Sequence, residues 1–370
     1  MNLINSSKFS DFNKLINNKK FKKIFIITGE NSFYKSKANL LIKFSKNKTL
    51  KFFFKKSKFP ELPELYLILK EVNSFKPDII LSIGGGAVID YSKIVSIFDY
   101  RFLKDLHKNL LKYENISKKK IYPLIALPTT AGAGAEVTSN AVIYIKGIKY
   151  SVENPLLIPN YYFLFPSLII KNPKSLKSSA GFDAIAQSVE SLISVKSNKT
   201  SVYYAKKSLE LSLTNYLPFI KKPNIENSNK MLISSNLAGK AINISKTTAP
   251  HAVSYPFSSM FGVSHGHAVS LTFEKFLLFN YLNLNRSLSS FNLNDRYKKI
   301  FELFKVKNIN ELCQKIKYIK YQANLSDSFT KLGINISESS DKILNQINTL
   351  RLKNNPVMLT KNDIRKILND

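Results

Sequence analysis

At 370 residues the chain exceeds what one ordinary core of about 100–200 residues needs, so two domains are expected. Hydrophobic residues at 44% with 12 Gly and 14 Pro exclude a disordered or collagen-like polypeptide. The net charge of +31 raises nucleic acid as a partner, but the excess is mostly lysine spread along the whole chain, which reads as a solvated basic surface with no nucleic-acid role.

In chain order, residues 23–28 (KIFIIT) form a β-branched and aromatic run closed by Gly29, the pattern of a buried strand entering a turn. Residues 79–83 (IILSI) repeat it and stop at Gly84-Gly85-Gly86, and residues 123–127 (PLIAL) end at Pro128. The stretches 35–46 and 61–75 are long enough for crossover helices, and strand, helix, strand in this rhythm predicts a parallel sheet covered by helices. Residues 141–150 alternate around Lys146-Gly147 as a hairpin does. From Ser175 onward helical periodicity dominates, as in 182–193 and 201–217, with 221–230 (KKPNIENSNK) expected as an inter-helix loop and 282–330 without a usable motif. The domains expected are residues 1–173, α/β with a parallel Rossmann-like sheet, and residues 174–370, all-α.

The single Cys313 can form no internal disulfide, and no Cys-x-x-Cys pair offers a zinc site. No signal-like stretch opens the chain and no run of about 18 apolar residues occurs, so an unexported, cytoplasmic protein without a membrane partner is expected.

Gly84-Gly85-Gly86 ends a buried strand and precedes AVIDYSKIVSIF, a helix by its apolar spacing. Glycines there permit close backbone approach to a pyrophosphate at a helix N-terminus, though a tight strand-to-helix turn needs the same residues. A second loop, 128–138 (PTTAGAGAEVT), follows the next strand, and loops at the carboxyl ends of parallel strands are where α/β sheets bind ligands. In the helical part, Asp183 and Gln187 lie four apart on one helix face, while His251, His265 and His267 fall within seventeen positions of a chain with only four His. One carboxylate with two imidazoles suits Fe(II) or Zn(II), although a buried His or a helix-face Asp is often structural.

The ordered set GGGAVIDYSK, PTTAGAGAEVTS, GFDAIAQSVES and PHAVSYPFSSMFGVSHGHAVSLTF resembles the iron-containing (group III) alcohol dehydrogenase family over residues 20–275, and RLKNNPVML at 351–359 is similar to a C-terminal family segment. KYSVENPLLIP, the Gln of DAIAQS and KTTAPHAVSYP are similar to the phosphonoacetaldehyde reductase, or hydroxyethylphosphonate dehydrogenase, subgroup. The resemblance implies a dehydroquinate synthase-like architecture, NAD(H) or NADP(H), a divalent metal and a homodimer. A dehydroquinate synthase itself would carry more basic substrate residues than are found. By the resemblance, Gly84, Gly85 and Gly86 hold the pyrophosphate, Thr129, Thr130 and Thr138 lie beside the cofactor, and Asp90 and Lys93 support the first loop's helix. Asp183, His251 and His265 fall on three metal-ligand positions.

The fourth ligand position, usually His, is Gln187, whose amide oxygen is a poorer ligand for a borderline ion. A family His near the substrate is replaced by Tyr255, a candidate for proton transfer at the alcohol oxygen beside His267 or water. Gly29 stands where many members carry an acid for the adenosine ribose, with Glu30 next to it and Lys35 able to meet a 2′-phosphate, so both cofactors stay open. The activity implied is reduction of an aldehyde to a primary alcohol, with phosphonoacetaldehyde and 2-hydroxyethylphosphonate as the pair the subgroup suggests and Lys246, Thr247 and Thr248 as the phosphonate grip. An ordinary short-chain alcohol or polyol dehydrogenase is the alternative, and a non-enzymatic basic nucleic-acid-binding protein, motivated by the charge, is the second.

Overall fold

The computed structural model of the chain describes residues 4–6, 8–43, 45, 47–112, 119–347 and 349–369. The opening Met1–Leu3 of the N-terminal stretch lies outside the described residues. Six strands, β1 (Ile4–Ser6), β2 (Lys23–Gly29), β3 (Thr49–Lys55), β4 (Ile79–Gly84), β5 (Leu124–Pro128) and, further along, β8 (Tyr161–Phe163), form one sheet in the order β1-β8-β5-β4-β2-β3. Every neighbouring pair in it is parallel.

A parallel strand covered on both faces must be apolar at every position, and this is why the runs at 24–27, 79–83 and 124–127 are nearly continuous in Ile, Leu and Phe. Alternate residues feed two cores. Phe25, Ile27, Ile80 and Leu124 pack with Leu65 and Ile68 of α1 (Leu62–Phe75) and Val88 and Tyr91 of α2 (Gly86–Ile97). Ile24, Ile26, Leu81, Ile83 and Leu127 pack on the other face with Phe12, Ile16 and Phe163. Strand order reverses between β2 and β4, whose carboxyl ends run side by side to the Thr28 and Ile83 pair. Open parallel sheets bind ligands at such a reversal, and Gly84-Gly85-Gly86 begins there.

Two expectations change. The stretch 35–46 is not one helix: short helices Glu30–Tyr34 and Asn39–Ile42 flank Lys37 at φ 63°, and the Ser36 Oγ accepts from the Ala38 N–H at 3.2 Å. A hydroxyl that captures a backbone N–H in this way competes with helix continuation. The stretch 221–230 is mostly helix, because Asn224 and Asn227 cap each other's backbone at 2.8 and 3.0 Å and start the helix at Ile225. The segment 282–330 holds helices Leu293–Phe304 and Ile309–Gln322. The hairpin is present as antiparallel β6 (Asn140–Ile145) and β7 (Ile148–Glu153), turned by Lys146 and Gly147 at φ 50° and 78°, both in the left-handed region that a two-residue hairpin turn demands.

The chain divides into two compact units, residues 1–130 with 134–172 and residues 131–133 with 173–370. The second is helical, led by α3 (Lys174–Ile193), α4 (Lys199–Lys221) and α5 (Ile225–Ser245), with the isolated bridge of Ser287 to Val357 as its extended pairing among the described residues.

The glycines of the first loop differ in what they permit. A Cβ on Gly84 would lie 2.5 Å from the Val88 side chain, whereas one on Gly85 would approach the Thr130 Oγ1 at 3.3 Å. Gly84→Ala is therefore expected to cost about 1–3 kcal/mol by overpacking, and Gly85→Ala distinctly less. Thermal melts of the two variants check this, and equal Tm losses would contradict it.

Candidate active site and metal centre

In the first unit, Gly85 is the N-cap of α2 and its carbonyl accepts from both Val88 and Ile89 at 3.1 and 3.2 Å, leaving Gly86 and Ala87 to head the helix. A helix start beside the strand reversal presents backbone N–H groups and the positive end of the dipole, which suit a pyrophosphate. Thr129 lies directly across from it: its N–H donates to the Gly84 carbonyl at 3.0 Å and its own carbonyl accepts from the Asn172 amide at 2.7 Å. Thr130 sits against Gly85.

Thr138, Lys93 and Asp90 form the support beneath. The Lys93 ammonium is fully buried and donates to the Thr138 Oγ1 at 2.8 Å and the Asn140 carbonyl at 3.0 Å, tying α2 to the second loop and to β6. Burial lowers Lys93 to about 8 despite Asp90 and Glu136 nearby. Burial likewise lifts Asp90 to about 6, against Lys93, the Val142 N–H and Lys149. Asp90 was expected to support the first loop's helix, near the cofactor. The contacts it makes are with the hairpin and Lys93, which makes it a support of the loop.

In the second unit, α3 carries Asp183, Gln187 and Glu190, positions that share a face at helical spacing. His251 comes from α6 (Ala249–Phe261), and His265 opens α7 (His265–Ser270). Side-chain ligand atoms of Asp183, His251 and His265 all lie within 4.8 Å of one another, with the Asp183 Oδ1 3.1 Å from the His251 Nε2 and 4.0 Å from the His265 Nε2. α7 can press this close because Gly266 carries no side chain: a Cβ there would fall 1.9 Å from the Ser179 carbonyl oxygen and 3.0 Å from the Asp183 Cβ.

Glu190, absent from the sequence expectations, orients the centre. Its Oε1 accepts from the His251 Nδ1 at 2.5 Å, and its Oε2 accepts from the Thr248 N–H at 2.5 Å and the Thr248 hydroxyl at 2.9 Å. A carboxylate on one ring nitrogen fixes the tautomer and turns the other nitrogen toward an ion. Burial opposes a charged His251, but Glu190 and Asp183 together outweigh it and push the ring up to about 9. Burial also works against an ionised Asp183, yet His251, His265 and the Gln187 amide hold it below the usual carboxylate range.

The donor set fits a divalent ion. Two imidazole nitrogens and a carboxylate oxygen converge, and Gln187, which donates to Asp183, leaves its Oε1 buried with no hydrogen-bond partner. An orphaned amide oxygen at the fourth ligand position is a costly arrangement unless something binds it.

Other expected residues lie elsewhere than foreseen. Thr248 is committed to Glu190 through its N–H and its hydroxyl, the Thr247 backbone carbonyl accepts from the buried Asn354 amide at 3.1 Å, and Lys246 caps α5 in an unusual conformation at φ 60°. The His267 Nε2 donates to the Ser326 carbonyl at 2.9 Å, which anchors that loop and leaves His267 outside the ligand cluster; its expected catalytic role is not supported by these contacts. Tyr255 stands with the candidate metal ligands, its ring stacked on His265 at 6.0 Å between centroids. Burial lifts the Tyr255 hydroxyl above its usual range, opposed by Arg351, which donates a hydrogen bond to it. No helix among the described residues is long and apolar enough to cross a membrane.

Comparison with known proteins bears on these features. Residues 2–166 match the family described as iron-containing alcohol dehydrogenase, and residues 177–370 match the C-terminal part of the Fe-containing alcohol dehydrogenase family. A 4-hydroxybutyrate dehydrogenase of Clostridium kluyveri is 31% identical over 214 residues, 56% of each chain. A 1-propanol dehydrogenase of Citrobacter freundii is 29% identical over 216 residues, 57% of this chain and 54% of that one, so the chain spans little more than half the length of these relatives. A sulfoacetaldehyde reductase from Bifidobacterium kashiwanohense, solved in complex with NAD+, has the same fold at TM-score 0.86 and 21% identity, covering 99% of this chain and 96% of that one.

If Glu190 sets the His251 tautomer, Glu190→Gln should weaken retention of Fe(II) or Zn(II) about 10- to 100-fold with the fold intact, and Gln187→His should strengthen it. The value near 9 adds a sign: below it an ion must displace the His251 proton, so affinity is expected to fall as the pH drops from 9. Competition titrations with a chelator at several pH values measure all of this, and affinities indifferent to Glu190 and to pH would refute the orientation argument.

Proposed function

Since the chain belongs to the iron-containing alcohol dehydrogenase family, we propose that it reduces a short aldehyde to the primary alcohol with NAD(H) or NADP(H), at the centre formed by Asp183, His251 and His265. It is an oxidoreductase of a family that uses NAD(H) and a divalent metal. The observation that carries the reading is the convergence of those three ligand side chains with Glu190 behind one and the orphaned Gln187 oxygen beside them.

In this reading Gly85, Gly86 and the head of α2 receive the pyrophosphate, with Thr129, Thr130 and Thr138 along the facing loop, and Asp183, His251, His265 and Gln187 hold the ion. When bound, the metal supplies Lewis acidity toward a carbonyl oxygen and the reduced nicotinamide supplies the two electrons and one hydrogen of the reduction. The remaining proton is the task of Tyr255. Burial keeps its hydroxyl protonated, which makes the phenol the acid assigned to this step, with Arg351 donating to its oxygen. The balance is aldehyde, reduced cofactor and one proton to alcohol and oxidised cofactor.

For the substrate, phosphonoacetaldehyde going to 2-hydroxyethylphosphonate is proposed from the segments KYSVENPLLIP and KTTAPHAVSYP. Similarity to a sulfoacetaldehyde reductase and a 4-hydroxybutyrate dehydrogenase, whose names both denote short chains with an acidic end, supports it. The similarity to a 1-propanol dehydrogenase favours a second reading, a general short-chain alcohol dehydrogenase.

An aldehyde panel monitored by NADH and NADPH absorbance separates the two. The expected result is a kcat/KM for phosphonoacetaldehyde at least about tenfold above that for propanal, a difference of about 1.4 kcal/mol in transition-state binding. A preference for propanal would select the general reading, and no cofactor consumption with any aldehyde by metal-loaded protein would reject the function.

A further inference from the structure

His265 is the first residue of α7, so the place of its imidazole follows the place of that helix. At six residues α7 has no stability of its own, and its position is set by what grips it. At its start the grip is steric: Gly266 lies against the Ser179 carbonyl, and the His267 N–H donates to the Ser179 Oγ at 3.2 Å. At its other end the grip is electrostatic, and its centre is Lys320.

Lys320, on the helix Ile309–Gln322, is completely buried. Its ammonium donates to the carbonyl of Ser270, the last residue of α7, at 3.1 Å, and pairs with the Glu274 Oε2 at 2.6 Å and the Asp327 Oδ1 at 2.5 Å. Those oxygens match the three donors of an ammonium, and the Ser270 carbonyl is one of those that a helix end leaves unpaired. A second thread returns to the same lysine. The His267 Nε2 donates to the Ser326 carbonyl at 2.9 Å, next to Asp327, and the Ser270 Oγ donates to the His267 carbonyl at 2.7 Å. The last turn of α7 is thus held in a closed ring that runs through Ser270, Lys320, Asp327, Ser326 and His267.

Stability alone is a poor reason for this arrangement. An ammonium and a carboxylate taken out of water lose hydration that their attraction barely returns, and apolar side chains of similar volume often serve a core as well or better. Glu274 is only 3% exposed, so its pairing with Lys320 bears the full cost of that burial. What an apolar side chain cannot do is bind the Ser270 carbonyl and a second segment at once. Lys320 therefore contributes direction to α7, where a methionine would contribute only volume.

We propose that Lys320 is a positioning residue for the metal centre: by holding the Ser270 carbonyl and the Ser326–Asp327 segment it fixes the end of α7, and with it the place of His265 opposite Asp183. The inference rests on the reading of Asp183, His251 and His265 as metal ligands and adds the group that sets the spacing of the third. Lys320 acts through α7 and touches neither ion nor substrate.

The test uses the full chain, titrated with Zn(II) against a chelator and with Co(II), whose visible absorption reports the geometry of its ligands. The variants are Lys320→Met, the double change Lys320→Met with Glu274→Leu, and Asp327→Ala. The double change removes the buried charges together, so its melting temperature is expected to equal or exceed that of the wild type. Both Lys320 variants are nevertheless expected to bind Zn(II) about 3- to 30-fold more weakly and to show an altered Co(II) spectrum. A lysine that only stabilised the fold would not give weaker binding in a protein as stable as the wild type. Asp327→Ala opens the ring at a side chain that is 42% exposed and leaves the Lys320–Glu274 pair, so it folds whatever the other variants do and should show a smaller loss in the same direction. Wild-type affinity and spectrum in the folded double variant, or in Asp327→Ala should the Lys320 variants not fold, would overturn the proposal and leave the metal reading standing. A wild type that binds neither ion at Asp183, His251 and His265 would defeat the metal reading and the proposal with it.

Discussion

The second unit is organised around one buried chain of hydrogen bonds, from Thr248 through Glu190 to His251 and on to Asp183. Two carboxylates this deep are unfavourable unless each is paired, and one imidazole pairs both. Neighbouring features serve that arrangement. Asp183 and Glu190 occur on one helix face because of their spacing in α3, and Thr248 can donate twice because it stands as the N-cap of α6 with its N–H unused by the helix. Gly266 lets α7 approach until His265 faces Asp183.

The same chain of bonds has two states. Without an ion, the His251 ring carries both protons and bridges two carboxylates, which is why it is pushed up to about 9. With an ion bound, the Nε2 proton would have to leave while the Nδ1 proton would stay on the ring, donated to Glu190, so one residue outside the candidate ligand set decides the tautomer in both. Gln187 shows the complementary economy of donors: its amide nitrogen supports Asp183 while its oxygen has no protein partner. In the first unit the corresponding constraint is steric, since Gly84 lets α2 begin against the strand end and Lys93, itself buried, ties that helix to the Thr138 loop.

Much of this was legible in the sequence, for identifiable reasons. Strands buried on both faces announce themselves as unbroken apolar runs, and a helix face announces itself by spacing, so β2, β4, β5, α2 and the Asp183 face of α3 could be read directly. The stretch 35–46 misled because one serine hydroxyl at Ser36 redirects a backbone N–H, and 225–230 misled because asparagine caps look like loop composition. Glu190 was legible in principle at i+7 from Asp183, but its partner Thr248 lies on another helix, and only the tertiary contact distinguishes it from a solvated acid. Arg351 belongs to a segment whose similarity could be noticed but whose place beside Tyr255 is fixed by Asn354 and Asn355 through contacts far away in the chain. Local periodicity carries no signal for such a pair. Thr248 and His267, polar residues next to the candidate ligands, are bonded to the Glu190 carboxylate and the Ser326 carbonyl of their own protein.

The proposed chemistry requires that Asp183, His251 and His265 hold a metal. Anomalous diffraction from crystals of the metal-stripped protein soaked in Fe(II) or Zn(II) tests it directly. The predicted result is one strong anomalous peak per chain within about 2.0–2.2 Å of the Asp183 carboxylate and both imidazoles, with the Gln187 oxygen as the nearest further donor. A fully turning-over enzyme whose crystals show no peak at these three side chains would contradict it.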